Sequence, residues 1–267
     1  VNPLLIKNIE IFKGGFDAKY GNRVGGLVNI SGKNGNFQKP VFTFNINPTT
    51  INGMAEIPLF KRSSLLVAYR QTYYNLYNNK NFNIFAPTRK PPQNDTGGIN
   101  NNRFKVDFDI YPDDYSFRDL NLKYSFNLGN NDLFYISLYG GGDRFVLTAD
   151  KERTKNIPLK PNSKLNVPFQ ITLSDSATNR QFGGSAYYGK NWKNGNTSTF
   201  ILSNSSFNQK ISDKIKIKNL LTGKDNNNDI SSSENQVKEY SFRNENTISL
   251  VNGHKFETGG GLFSNNT

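Results

Sequence analysis

Few residues of this 267-residue chain are of types that could perform catalysis. The single histidine, His254, follows an Asn-Gly turn sequence, and no nucleophile pattern lies near it. Cysteine is absent, which removes thiolate nucleophiles, thiolate metal sites and disulfides together. The motifs G-x-S-x-G and H-E-x-x-H and the phosphate-binding Gly-Lys loop do not occur. We therefore expect a protein that is not an enzyme and has no cofactor.

One acidic segment has the composition of a calcium site. Residues Asp225–Glu234 read DNNNDISSSE, in which oxygen-bearing side chains dominate. Calcium loops of the EF-hand type need glycine at position six and glutamate at position twelve, where this chain has Ile230 and Gln236. The sequence therefore predicts a polar loop here, with calcium binding as the minor alternative.

Composition and charge narrow the class of protein. The formal net charge of +12 would suit nucleic acid or an anionic surface, but the Lys and Arg residues are scattered and form no dense run. A solvated basic surface with no nucleic-acid partner is the favoured interpretation. Hydrophobic residues make up 35% of the chain, and no run approaches the ~18 apolar residues that a membrane-spanning helix requires.

Alternation of apolar and polar residues is the strongest structural signal. In SFRDLNLKYSFNL, residues 116–128, every second side chain is apolar, as a strand with one apolar face requires. The same period of two follows Asn131 and recurs in residues 237–250. Six more strands are expected at Val41–Asn47, Gly53–Phe60, Ser63–Thr72, Asn179–Tyr188, Thr197–Phe207 and His254–Phe263. The sequence therefore predicts nine strands and an all-β fold.

Short and long connections alternate between these strands. The short ones are turn sequences such as KNGN, whereas Tyr73–Tyr115, Leu147–Ser176 and Asn208–Asn235 are long and polar. Short turns at one end and long loops at the other are typical of antiparallel transmembrane β-barrels, whose strands of ~10 residues cross the hydrocarbon. A sheet of nine strands would have two unpaired edge strands, so we expect further barrel strands beyond Thr267. The polar residues predicted to face the lumen are Arg70, Asp119, Lys123, Arg243 and Glu245.

A cluster of tyrosines lies where the third barrel strand should leave the membrane. It comprises Tyr69, Tyr73, Tyr74 and Tyr77, in the sequence YRQTYYNLYNN. Amphipathic rings are stable at the membrane–water interface, where barrels carry aromatic girdles. We interpret the cluster as part of such a girdle, and the alternative is that these rings contact a substrate in a loop.

A glycine-rich stretch near the start of the chain carries a family resemblance. IEIFKGGFDAKYGNRVGGLVNISGK, residues 9–33, resembles the C-terminal end of the plug domain of TonB-dependent outer-membrane receptors, Bacteroidetes-like in sub-type, which leads directly into the first barrel strand. The matching positions are Ile9, Glu10, Ile11, Lys13, Gly14, Tyr20, Gly21, Gly25, Gly26, Leu27, Val28, Asn29, Ile30 and Lys33.

The resemblance implies a division of the chain and roles for some residues. Residues 1–36 would be the end of the plug, and residues 37–267 would be about nine strands of a plugged barrel of ~22 strands. In the family, charges in this stretch tend to pair the plug with the barrel wall, which would apply to Glu10, Lys13 and Arg23; the alternative is that they are ordinary solvated charges. The turns of the plug motif would be formed around Gly14, Tyr20, Gly21, Gly25 and Gly26.

The function implied by the resemblance is energised uptake across the outer membrane of a Gram-negative bacterium. The substrate would be a scarce solute such as an iron chelate, vitamin, oligosaccharide or peptide. The partners would be outer-membrane lipid, the inner-membrane TonB complex acting through a missing N-terminal segment, and in some systems a surface lipoprotein. The alternative is a passive barrel or a surface-binding protein such as an adhesin, with no energised step.

Overall fold

The computed structural model describes residues 2–15, 20, 25–73, 109–129, 131–160 and 163–266, and these residues form an all-β, antiparallel structure. A short 3-10 helix, Pro3–Leu5, leads into the hairpin of β1 (Ile6–Lys13) and β2 (Gly26–Gly32). The remaining strands are β3 (Val41–Ile46), β4 (Thr50–Phe60), β5 (Ser63–Thr72), β6 (Asp109–Gly129), β7 (Asp132–Lys160), β8 (Ser163–Asn191), β9 (Thr197–Asn219), β10 (Asp225–Ser249) and β11 (Lys255–Asn266).

Strands β3 to β11 form one nine-stranded sheet in which every strand pairs with its neighbours in sequence. Each of the nine strands predicted from alternation corresponds to one strand of this sheet, so that prediction is confirmed. Strands β3 and β11 are the first and last strands of this sheet. Consecutive antiparallel pairing needs only local turns, which agrees with the short connections seen in the sequence.

Two predicted loops are wrong, because the strands continue through them. Residues 147–160 belong to β7 and residues 163–176 to β8. Residues 208–235 belong almost entirely to β9 and β10, with only a turn at residues 220–224 between them. The polar composition concealed a continuing period of two, in which Ile211, Ile215 and Ile217 alternate with polar residues. Of the third predicted loop, residues 109–115 belong to β6, and residues 74–108 lie outside the described residues.

The two faces of the sheet differ in what lies against them. We call the face that meets Leu4, Leu5 and Asn34 the covered face and the opposite one the open face. The covered face holds the small core of Met54, Leu66 and Ala68, against which Leu4 and Leu5 pack. Leu66 is 1% exposed, so this contact excludes water from the part of the face that β4 and β5 form. The open face carries exposed apolar side chains, among them Tyr69, Leu120, Ile136, Leu138, Phe182, Phe200, Leu202, Phe242 and Leu262.

The apolar side of the long strands changes partway along them. Near the short turns, β9 places Phe200 and Leu202 on the open face. Farther along, Lys214, Lys216 and Lys218 take the open-face positions and are exposed, while isoleucines alternate with them on the other side. The open face is therefore apolar near the short turns and polar farther from them.

Candidate functional site

A row of small polar side chains crosses the covered face. Strand pairing sets Lys123, Ser137, Ser185, Ser203 and Ser241 opposite one another on five successive strands. The hydroxyls of Ser137 and Ser185 are 2.7 Å apart, and those of Ser203 and Ser241 are 2.6 Å apart. Each hydroxyl pair uses one donor internally and leaves one O–H free. The serines of the row therefore offer hydrogen-bonding groups on small side chains.

Lys123 joins this row to the N-terminal segment. Its Nζ donates to Asn34 Oδ1 at 2.7 Å and lies 3.8 Å from the centroid of the Tyr135 ring. The Tyr135 ring stacks on Tyr187 with centroids 4.5 Å apart and an interplanar angle of 3°. The ammonium therefore has an amide oxygen and an aromatic face as partners, and no carboxylate ion pair with it occurs among the described residues.

A cavity of about 310 Å³ lies between the N-terminal segment and the polar row. Leu5 and Lys33 border it on one side, and Lys123, Ser137 and Ser185 border it on the other. Ammonium and hydroxyl donors of this kind bind oxygen-rich groups or water. Hydrogen bonding by these donors makes binding the chemistry that the cavity supports.

A buried ion pair lies on the same face beside the cavity. Arg70 donates to Asp119 Oδ2 from Nε at 2.8 Å and from Nη2 at 2.6 Å, and the Arg70 guanidinium lies 4.8 Å from the centroid of the Phe117 ring. Asp119 is 4% exposed and also accepts from Asn121 Nδ2 at 3.3 Å. Removing Arg70 would leave a buried carboxylate without its charge partner, which is costly.

All five residues predicted to face the lumen lie on the covered face. Register places Arg243 and Glu245 on the same side of the sheet as Arg70, Asp119 and Lys123. Arg243 Nη1 and Glu245 Oε1 are 4.0 Å apart and partly exposed, so this pair contributes little to stability. That the covered face lines a lumen stays a prediction.

The structure describes only some of the residues that were predicted to form the turns of the glycine-rich motif. Gly14 and Gly25 have φ of +82° and +99°, and the Gly14 N–H donates to the Gly25 carbonyl at 3.3 Å, as a turn between β1 and β2 requires. Gly26 begins β2, and the Tyr20 and Phe12 ring centroids are 5.9 Å apart. Gly21 lies outside the described residues.

The charges predicted to join plug and barrel stay a prediction. Glu10 accepts a hydrogen bond from Asn29 Nδ2 at 2.8 Å across the β1–β2 hairpin. Lys13 ends β1 and is exposed, and Arg23 lies outside the described residues. The observed contacts between the N-terminal segment and the sheet are made by other residues.

Those contacting residues were missed by sequence reasoning. They are Leu4 and Leu5, which pack on the core, Asn34, which binds Lys123, and Gly35, whose φ is +86° and whose backbone lies against Ser64. The Asn34–Gly35 dipeptide is a turn signal that could have marked the last two. No periodicity could have indicated Leu4 and Leu5, because their burial depends on where the chain lies on the sheet.

The predicted tyrosine cluster is described only in part. Tyr69 lies on the open face and donates from its hydroxyl to Gln71 Oε1 at 2.6 Å. The Tyr73 hydroxyl donates to the Asn47 carbonyl, which ties the end of β5 to the β3–β4 turn. Tyr74 and Tyr77 lie outside the described residues. The girdle and substrate interpretations both stay predictions.

The segment considered for calcium is a strand and not a loop. Asp225–Glu234 opens β10, where Asp225 Oδ2 is 2.9 Å from Lys216 Nζ and Glu234 accepts from Asn208 Nδ2 at 2.8 Å. Successive side chains of a strand point to opposite faces, so they do not converge as the ligands of a calcium loop do. Over the described ranges, no group of three or more His, Asp or Glu side chains is placed to hold a metal ion.

Comparison with protein-family models, with curated proteins and with solved structures finds no match to this chain. Among the residues with described positions, no helix has the length and apolar character needed to cross a membrane.

Proposed function

We propose that this chain is part of a TonB-dependent outer-membrane receptor, comprising the end of its plug and the first strands of its barrel. The observation that carries the proposal is the division of the sheet into an apolar open face and a polar covered face, which meets residues on both sides of the glycine-rich stretch: Leu4, Leu5, Asn34 and Gly35. In a plugged barrel the open face meets lipid, and the covered face meets the plug and water.

The apolar part of the open face, which we call the apolar band, has a length along the strands that supports a membrane crossing. On β8, nine residues, 181–189, separate Arg180 from Lys190, and their open-face members are Phe182, Gly184, Ala186 and Tyr188. A tilted strand needs ~9–11 residues to cross the hydrocarbon. Charged residues therefore stand at both borders of a band that has the thickness of a bilayer core.

Aromatic side chains lie near the borders of the band, as in barrel girdles. Tyr188 and Phe200 stack near the turn between β8 and β9, with ring centroids 6.3 Å apart. Trp192 follows in that turn and donates from Nε1 to Ser198 Oγ at 3.0 Å. Tyr69 lies toward the other border, beside Leu120 in the register.

The mechanism that follows is release of the N-terminal segment from the barrel wall. Among the described residues, the segment is held by the Asn34–Lys123 hydrogen bond, by the packing of Leu4 and Leu5 on a three-residue core and by the close approach of Gly35 to Ser64. Such a contact can be broken by a pull on the upstream plug without disturbing the paired strands. The solute would then pass along the polar row of the covered face, whose serines offer hydrogen bonds without bulk.

Single-channel conductance in planar bilayers tests this function. The full-length protein should be closed, because the plug fills the barrel, and a variant lacking every residue up to Asn36 should conduct ions. The rival function, a passive barrel, requires steady conductance in the unaltered protein. Steady conductance in the unaltered protein, or no channel in either form, would contradict the proposed function.

A further inference from the structure

A basic concavity lies on the open face, where the apolar band ends. Its volume is about 760 Å³. We call it the arginine cleft, and define it by its lining residues Tyr69, Arg118, Gly140, Gly142, Arg144 and Arg180. The cleft is on the face opposite the cavity near Lys123, so it is separate from the site described above.

The cleft lies where β7, the middle one of three strands, has a glycine. Register sets Gly142 of β7 between Arg118 of β6 and Arg180 of β8. Because glycine has no side chain, a notch is left between the two arginines. A side chain could not be added there without displacement, since a Cβ at Gly142 would lie 2.9 Å from the Asn179 carbonyl oxygen and 3.8 Å from Arg180 Cγ.

The guanidinium groups of the cleft have unused donors. Arg118 and Arg180 are exposed, and neither has an ion pair among the described residues. Arg144 has one contact with Asp114, at 3.3 Å, and its side chain is 60% exposed. A guanidinium has five N–H donors in a planar fork, so most of the donor capacity of the cleft faces outward.

The carboxylates that border the cleft do not neutralise it. Asp119 lies on the covered face and is occupied by Arg70. Asp143 is on the same face by register and accepts from Asn179 Nδ2 at 2.8 Å. The open side of the cleft is therefore positively charged.

The surface below the cleft is apolar. Leu120, Leu138 and Phe182 are 41%, 43% and 51% exposed and lie on the open face within the band. A ligand that matches both regions has an anionic group at the height of the arginines and hydrocarbon chains below it. Arginine forks bind phosphate in a bidentate manner and with charge assistance.

We propose that the arginine cleft binds the phosphate-bearing headgroup of a membrane lipid, whose acyl chains lie along Leu120, Leu138 and Phe182. This inference rests on the proposed function, because it needs the open face to be in a membrane. Lipid is favoured over free phosphate since the charged cleft is continuous with the apolar band. Bound lipid would fix the height of the barrel in the outer membrane and cover the notch at Gly142.

Native mass spectrometry of the full-length protein in detergent tests the site. The probes are bisphosphorylated lipid A, its dephosphorylated form and inorganic phosphate. The variant Arg118→Gln with Arg180→Gln is compared with a control of equal charge change, Lys218→Gln with Lys224→Gln, both of whose residues are exposed and distant in the register. The unaltered protein and the control should bind the bisphosphorylated lipid about tenfold or more tightly than the dephosphorylated lipid, and the arginine variant should lose that preference.

Three results would overturn the site: equal affinity of the unaltered protein for both lipids, an arginine variant that keeps the preference, or inorganic phosphate that competes as well as the lipid. Insertion into liposomes is scored separately by the heat-modifiable electrophoretic mobility of a closed barrel. A protein that inserts and shows no phosphate preference overturns the cleft alone. A protein that does not insert overturns the proposed function and the cleft together.

Discussion

Single residues hold the N-terminal segment against the sheet, and Gly35 is the most sensitive of them. It has a φ of +86°, and a Cβ there would lie 2.4 Å from Ser64 Oγ and 3.2 Å from Ser64 Cβ. Ser64 is fully buried, so neighbouring atoms surround it on all sides. Gly35→Ala should therefore lower the free energy of unfolding by ~1–3 kcal/mol, measured by urea denaturation of the full-length protein.

The matched control for this change is Gly260→Ala. Gly260 lies in β11, has no positive φ and would have no atom within 4 Å of a new Cβ. Its variant should stay within ~0.5 kcal/mol of the unaltered protein. Equal effects of the two substitutions would show that residues 33–36 do not pack on β5 as described.

A second residue-scale prediction concerns pH. Asp132 accepts from Lys190 Nζ at 2.6 Å and from the Asn191 N–H at 2.7 Å, and these bonds hold the pKa of Asp132 below the ordinary value of 3.8. The pair lies at the β7–β8 end of the band, outside the nine residues that cross it. A depressed carboxyl pKa gives stability that is present above the unfolded pKa and lost as the pH falls through the folded one.

Asp132→Asn should therefore lower the thermal unfolding midpoint at neutral pH, and its difference from the unaltered protein should shrink as the pH falls below 3.8. Circular dichroism melts over a pH series measure both effects. A difference that does not change with pH would show that the charge of Asp132 does not contribute.

At the scale of elements, the proposed receptor requires the open face of each strand to meet lipid. On β9, Leu202 is on the open face and 58% exposed, whereas Ser205 is exposed on the covered face. Leu202→Arg in the full-length protein should cost ~2–4 kcal/mol if it lies near the bilayer midplane. Ser205→Arg should be tolerated, because an arginine there meets water.

Folding into lipid vesicles and denaturation with guanidinium measure both costs. The two changes are made three residues apart on one strand, so local propensity differs little between them. Similar costs on the two faces would argue against a membrane band on the open face.

The same strands show how far sequence reasoning reaches. Alternation located all nine strands of the sheet because each has a stretch with one apolar face. It failed at residues 147–176 and 208–235, where the apolar positions change faces and polar residues dominate. Ile211, Ile215 and Ile217 still alternate there, so the signal was present and composition outweighed it.

At the scale of the whole molecule, sequence order and pairing order coincide. Because each strand pairs with the next, the sheet could be inferred once its strands were found. The candidate site could be inferred only in part. Alternation places Arg70, Asp119 and Lys123 on one face, but the contact between Lys123 and Asn34 joins residues 89 positions apart and needs the three-dimensional structure.

In the proposed receptor, the apolar band crosses the outer membrane with the β8–β9 turn inside and the β9–β10 turn outside. Residues 1–267 contain no cysteine, so cysteines introduced at Asn194 in the first turn and at Thr222 in the second are the only ones in this part of the protein. A membrane-impermeant maleimide applied to intact cells should label Thr222→Cys, and should label Asn194→Cys only after the outer membrane is broken. Labelling of both cysteines on intact cells, or of Asn194→Cys alone, would contradict this topology.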